Sequence, residues 1–148
     1  MGTRIQRSAH VPYSAEMMFD LVNDVDRYPE FLPHCRSARI LEQRNDRVKA
    51  TVELAKGALH KSFTTENRLL PPHRIEMHLV DGPFRHLHGA WTFTEQEGGG
   101  TRVALDLQFE FSNRLMALAV GPVFNHVANS LVDAFVKRAR SIHGESRD

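Results

Sequence analysis

Thr101–Phe111 reads TRVALDLQFEF, and Asn113–His143 continues as NRLMALAVGPVFNHVANSLVDAFVKRARSIH. Between the two, the spacing of the apolar residues changes. In the first stretch Val103, Leu105, Leu107, Phe109 and Phe111 fall on one face, and Ala104, Asp106, Gln108 and Glu110 on the other. A period of two marks a half-buried strand. In the second, Leu115, Leu118, Ala119, Val123, Val127, Leu131, Phe135, Ala139 and Ile142 recur at intervals of three and four. That is the apolar stripe of a helix. Asn113 is placed to cap it, and Lys137, Arg138 and Arg140 suit the negative end of its dipole. Gly121-Pro122 is expected to kink or loosen it near one end, because proline removes a backbone hydrogen bond. A helix of about 30 residues spans about 45 Å, enough to lie across a whole sheet.

Working back from this junction, the alternation recurs. Residues 86–95 put Leu87, Gly89, Trp91 and Phe93 on one face. Residues 36–44 and 47–55 read as a hairpin about Asn45-Asp46. Residues 60–70 and 74–80 form another pair, broken by Pro71-Pro72. Asp81-Gly82-Pro83 and Gly98-Gly99-Gly100 supply the next two turns. Thr3 to His10 alternates weakly and is expected to be a first strand. Ser14 is expected to cap a helix carrying Met17, Met18, Leu21 and Val22, followed by a broken helical turn over 24–33. The fold class is therefore α+β: a seven-stranded antiparallel sheet around a long C-terminal helix. One domain is expected over 1–148, with an ordered core at about 3–142 and a frayed tail after His143.

Charge removes several function classes. Nineteen basic residues against 18 acidic give a net charge of +1, so no strong global field points to nucleic acid, DNA included, or to an acidic membrane. Nine histidines would add positive charge only below about pH 6–7. Cys35 is alone, so no internal disulfide can form and a reducing compartment is expected. No run of about 18 consecutive apolar residues is present. The expectation is a cytoplasmic protein, with any contact at the inner membrane peripheral.

Tyr28–Cys35, YPEFLPHC, is unusual for a proline-rich loop in carrying so much apolar surface. With GPFRHLHGAWTF at Gly82–Phe93 and the segment Phe109–Ala139, it resembles the coenzyme-Q-binding family of START-like domains. That family lies in the polyketide cyclase-like, Bet v 1-like superfamily and includes bacterial ribosome-association toxins of the RatA type. The resemblance covers about residues 3–142. It implies a helix-grip fold with a deep apolar tunnel under the long helix. It also implies ubiquinone or a related polyprenyl lipid as bound ligand, no cofactor, and a role in respiration as a quinone carrier and not as an enzyme. The rival it brings is a toxin that binds the large ribosomal subunit and blocks subunit association, with Lys137, Arg138 and Arg140 in contact. A departure occurs at His34, where the family pattern has tryptophan before the cysteine.

On the tunnel reading, Trp91, Phe93, Phe109 and Phe111 line the sheet side. Leu118, Val123, Val127 and Leu131 line the helix side, and Phe31, Leu32 and Phe84 stand at the mouth. The resemblance favours an exposed entrance rim of Tyr28, Pro29, Phe31, Pro33 and Phe84 that touches a bilayer. The competing reading is a hydrophobic staple that plugs the core. Small residues on the helix, among them Ala117, Ala119, Gly121, Ala128 and Ala134, suit either a cavity or close packing.

Other constellations carry less. His86 and His88 share a strand face, but no third ligand at a metal-site spacing accompanies them. His34-Cys35 lacks an orienting third group for nucleophilic chemistry, and burial of Cys35 is expected. Asp24, Asp26 and Glu30 suit turn and cap duty better than acid–base catalysis. Arg36, Arg39 and Arg44, or Lys56, His60 and Lys61, could form a basic patch for RNA, but alternating with acids at near-zero net charge they read better as a solvated face. No catalytic residue and no metal ligand is assigned.

Overall fold

A computed structural model of the chain describes residues 2–144. The change of period falls where the sequence places it. Strand β7 (Thr101–Phe111) ends at a two-residue bend, and helix α2 (Arg114–His143) begins at once, with the Asn113 side chain accepting from the Met116 amide. The helix is a single element through Pro122. Upstream lie β1 (Thr3–Val11), α1 (Ala15–Asn23), a 3-10 turn (Val25–Glu30), β2 (Cys35–Arg44), β3 (Arg47–Lys56), β4 (Leu59–Leu70), β5 (Arg74–Asp81) and β6 (Phe84–Glu95). Ser14 caps α1 by accepting from the Met17 amide. Of the tail expected to fray after His143, Gly144 caps α2 by donating its amide to the Arg140 carbonyl, and 145–148 lie outside the described residues.

The seven strands form one antiparallel sheet in the order β1-β7-β6-β5-β4-β3-β2. Strands β2 to β7 are a meander, and β1 closes the far side by pairing with β7. Only β1 and β2 are edges. β2 is blunted by two irregularities, between Cys35 and Ser37 and between Ile40 and Glu42, which disfavour pairing with another chain.

The inner sheet face packs under α2. Val103, Leu105, Leu107 and Phe109 on β7 are all buried, as are Leu87, Trp91 and Phe93 on β6. From the helix, Val120, Phe124, Val127, Val132, Phe135 and Ala139 complete the core. The face of α2 that is buried differs from the sequence-based stripe. Leu115 and Leu118 are 68% and 69% exposed, and burial begins only at Val120. The helix has more apolar positions than one side can bury, so its first two turns are largely in solvent, with Met116 half-buried against the core. Two inward-facing hydroxyls are paired: Thr101 donates to the Tyr13 carbonyl at 2.7 Å, and Thr65 to the Asn67 side-chain oxygen at 3.0 Å.

Candidate functional site

Between α2 and the sheet a cavity of about 100 Å³ remains. Ligand pockets for drug-sized molecules run to roughly 300–1,000 Å³, so the space as it stands holds no polyprenyl chain. Two aromatic clusters consume the rest. Near the start of the buried helix, Phe124 meets Phe109 at 4.7 Å between ring centroids, Phe84 at 4.8 Å and Phe63 at 5.8 Å. Three turns later, Phe135 meets Phe31 at 5.1 Å, Trp91 at 5.3 Å and Tyr28 at 5.4 Å. These are edge-to-face contacts, which aromatic quadrupoles favour.

The cavity lies between the clusters. Of the expected lining residues, Leu32, Trp91, Val127 and Leu131 do face it. Phe84, Phe93, Phe109, Phe111 and Val123 do not line it. All but Phe111, which is half-buried, are buried in the surrounding core. Phe31 lies outside the cavity, against the far side of Phe135. Leu118 is in solvent and cannot face a tunnel. Lining residues that the alternation did not single out are Phe63, Thr65 and Asn67 on β4, with Tyr28 and Phe124. On β4 the inward row Phe63, Thr65, Asn67, Leu69 is half polar, so its period of two was invisible to apolar counting. Counting backward from Leu69 in steps of two would have found it.

The Tyr28–Cys35 loop resolves as a plug. Tyr28 donates its hydroxyl to the Val22 carbonyl, Leu32 is buried, and Phe31 rests on Phe135 with the Arg138 guanidinium 5.0 Å from its ring. Phe84 is buried at the opposite cluster and never meets the loop. An exposed rim of Tyr28, Phe31 and Phe84 is therefore absent; only Pro29 is fully exposed, and Pro33 is half-buried. Aromatic area gains more from Phe135 than from water. Burial pushes the Tyr28 phenol above its usual range.

Within the acidic cluster, Glu30 is ion-paired. Glu30 accepts from Arg27 at 2.9 Å and from Arg138, and these two bonds hold its carboxyl below the usual range. Asp24 caps the end of α1. Cys35 is buried and its thiol is pushed up to about 11 by that burial. Native Cys35 should therefore resist alkylation at pH 8, where about one thiol in a thousand is ionised. Iodoacetamide labelling followed by mass spectrometry should show reaction only after denaturant is added; rapid labelling of the folded protein would contradict the burial. His86 lies 3.4 Å from Glu110, and His34 has its ring 5.6 Å from that of His126. Among the described residues no group of three His, Cys, Asp or Glu could hold a metal ion.

A curved antiparallel sheet gripping one long helix over an apolar cavity defines the START/Bet v 1-like helix-grip class. Residues 11–136 match the Polyketide cyclase / dehydrase and lipid transport family, and the chain belongs to it. Two solved structures share the fold: the Zhui aromatase/cyclase of Streptomyces, with a TM-score of 0.78 at 18% identity over 96% of each chain, and an 18 kDa protein of Caulobacter crescentus, with 0.73 at 32% over 96% of this chain and 99% of that one. Among curated relatives, the ribosome association toxin RatA of Pseudomonas aeruginosa is 46% identical over 97% of this chain and 100% of its own length. The Vibrio cholerae protein of that name is 47% identical over 96% and 99%. More distantly, the mitochondrial coenzyme Q-binding protein COQ10 homolog B of Xenopus laevis is 29% identical over 89% of this chain and 56% of that one.

Proposed function

We propose that this protein is a cytoplasmic ribosome-association factor, which binds the large ribosomal subunit and blocks its joining to the small one. The observation that carries this reading is the 46–47% identity, end to end, with two relatives named for ribosome association. The interior agrees with it. A cavity of about 100 Å³, with no charged side chain among its described lining residues, leaves the outer surface to do the work. The test is a sucrose gradient of purified subunits mixed under conditions that favour joining. Stoichiometric protein should deplete the joined particle and sediment with the large subunit. An unchanged joined peak, with the protein left at the top of the gradient, would refute the reading.

A second reading keeps a hydrophobic ligand, of quinone or related type, as a further property of the same fold. What favours it is the residual cavity itself, whose apolar wall is interrupted only by Thr65, Asn67 and the Tyr28 hydroxyl. The Tyr28 and Thr65 hydroxyls already donate to the Val22 carbonyl and the Asn67 side-chain oxygen, so the Asn67 side-chain amide is the donor left for a polar head, and Leu131 and Phe124 would have to move to admit a tail. Organic extraction of protein from a quinone-producing host should then release a stoichiometric lipid that Leu131→Trp excludes. A blank extract removes this reading and leaves the first untouched.

A further inference from the structure

The face of the sheet turned away from α2 carries an open groove of about 600 Å³ across β1, β7, β6 and β5. Strand register explains its shape. His78 lies opposite His88, His88 opposite Gln108, and Gln108 opposite Arg4, which makes one continuous row of hydrogen-bond donors. Four strands at about 4.8 Å spacing give that row a length of about 14 Å. Arg74 and Thr92 begin a second row four residues along, and Arg102 flanks it. Ala90 and Ala104, diagonal neighbours on β6 and β7, form the floor, because neither fills the space between the rows.

The charges within the groove are unequal in their commitments. Its two carboxylates are already taken: Asp106 accepts two bonds from Arg4, at 3.0 and 2.7 Å, and Glu76 accepts from Arg74 at 2.8 Å. Both carboxyls are held below their usual range by these bonds. Arg102 in the groove and Arg68 beside it, opposite Glu76, stand outside every ion pair among the described residues. An incoming anion would meet the unpaired guanidinium of Arg102 in the groove, with Arg68, which already faces Glu76, beside it, and no uncommitted carboxylate. The groove also lacks what a protein partner needs. Its one large apolar lining residue, Leu105, is itself buried, and protein interfaces rely on aromatic or aliphatic anchors. Arginine forks, imidazoles and amides in rows are the groups that contact a nucleic acid backbone.

Resting on the ribosome-association reading, we infer that this outer groove is the RNA-facing surface of the protein and seats a phosphodiester backbone. By contrast, the basic end of α2 is partly spent internally, since Arg138 is bound to Glu30 and stacked on Phe31.

The test pairs two readouts. Fluorescence anisotropy with a short labelled RNA hairpin reports the groove, and co-sedimentation with purified large subunits reports the function. Wild-type affinity for the hairpin should fall steeply between about 50 and 200 mM salt. The double variant Arg68→Glu, Arg102→Glu should lose about tenfold or more in affinity, with the salt slope reduced by about two, one for each phosphate contact. It should also lose co-sedimentation, while Lys137→Glu on α2 stays within about twofold of wild type. Emission from Trp91, which is buried, verifies that each variant is folded. If the double variant binds both targets as wild type does, the groove proposal is overturned and the ribosome reading stands. If wild type binds the hairpin through the groove but not the subunit, the ribosome reading falls and the groove stands. If wild type binds neither, both are overturned.

Discussion

Phe135→Ala is expected to cost about 3–5 kcal/mol, a third or more of the stability of an ordinary domain. Phe135 is 1% exposed and is the shared partner of Tyr28, Phe31 and Trp91. Removing its ring unseats the loop that plugs this end of the grip and enlarges a cavity that already exists, so the site has little to collapse onto. Urea unfolding followed through Trp91 emission measures the effect directly, since the chain has one tryptophan. Leu118→Ala, at a position 69% exposed, should change the unfolding free energy by less than about 0.5 kcal/mol. A loss below about 1 kcal/mol for Phe135→Ala, or equal losses for the two variants, would mean that the aromatic cluster is not organised as described.

Gly89→Ala should be nearly as damaging, for the opposite reason. A Cβ at this position would lie 2.3 Å from the Asp106 carbonyl oxygen and 2.9 Å from the Leu107 Cα. Both atoms are backbone of the neighbouring strand, so no rotamer change relieves the clash. The β6–β7 ladder must part, at a cost of about 3 kcal/mol, the upper end of overpacking effects. Hydrogen exchange should localise the damage to amides around Gly89 and Leu107. An alanine variant with an unchanged unfolding midpoint would show that the strands are farther apart here.

These two residues also mark what could be read from sequence. The Thr101–Phe111 strand, the Asn113 cap and the end of α2 at His143 were legible, because alternation, capping chemistry and helical period all agree there. The meander was legible from its turns. The buried side of α2 was not. Leu118 and Phe124 both sit in apolar surroundings along the chain, and only the point where the helix meets the sheet decides that Leu118 is wet and Phe124 is core. Nor could the loop Tyr28–Cys35 be assigned as plug or rim, because either use needs the same aromatic residues. Gly89 looked like one more inward position of a strand. Its significance is a close approach between backbones, which no pattern of side chains records.

The pairing of β1 with β7 has a consequence for how the chain is made. Thr3 finds its partner at Phe109 and Val11 at Thr101, roughly a hundred residues later in synthesis. At about 5–20 residues per second, the first strand waits on the order of 5–20 s before its partner is made. Strands β2 to β6 can zip in order as they emerge, since each needs only the one before it. Helix α2, which follows all seven strands in the chain, is the one that covers their apolar face. Until α2 emerges the sheet holds its inner apolar face uncovered, even after β1 has paired with β7.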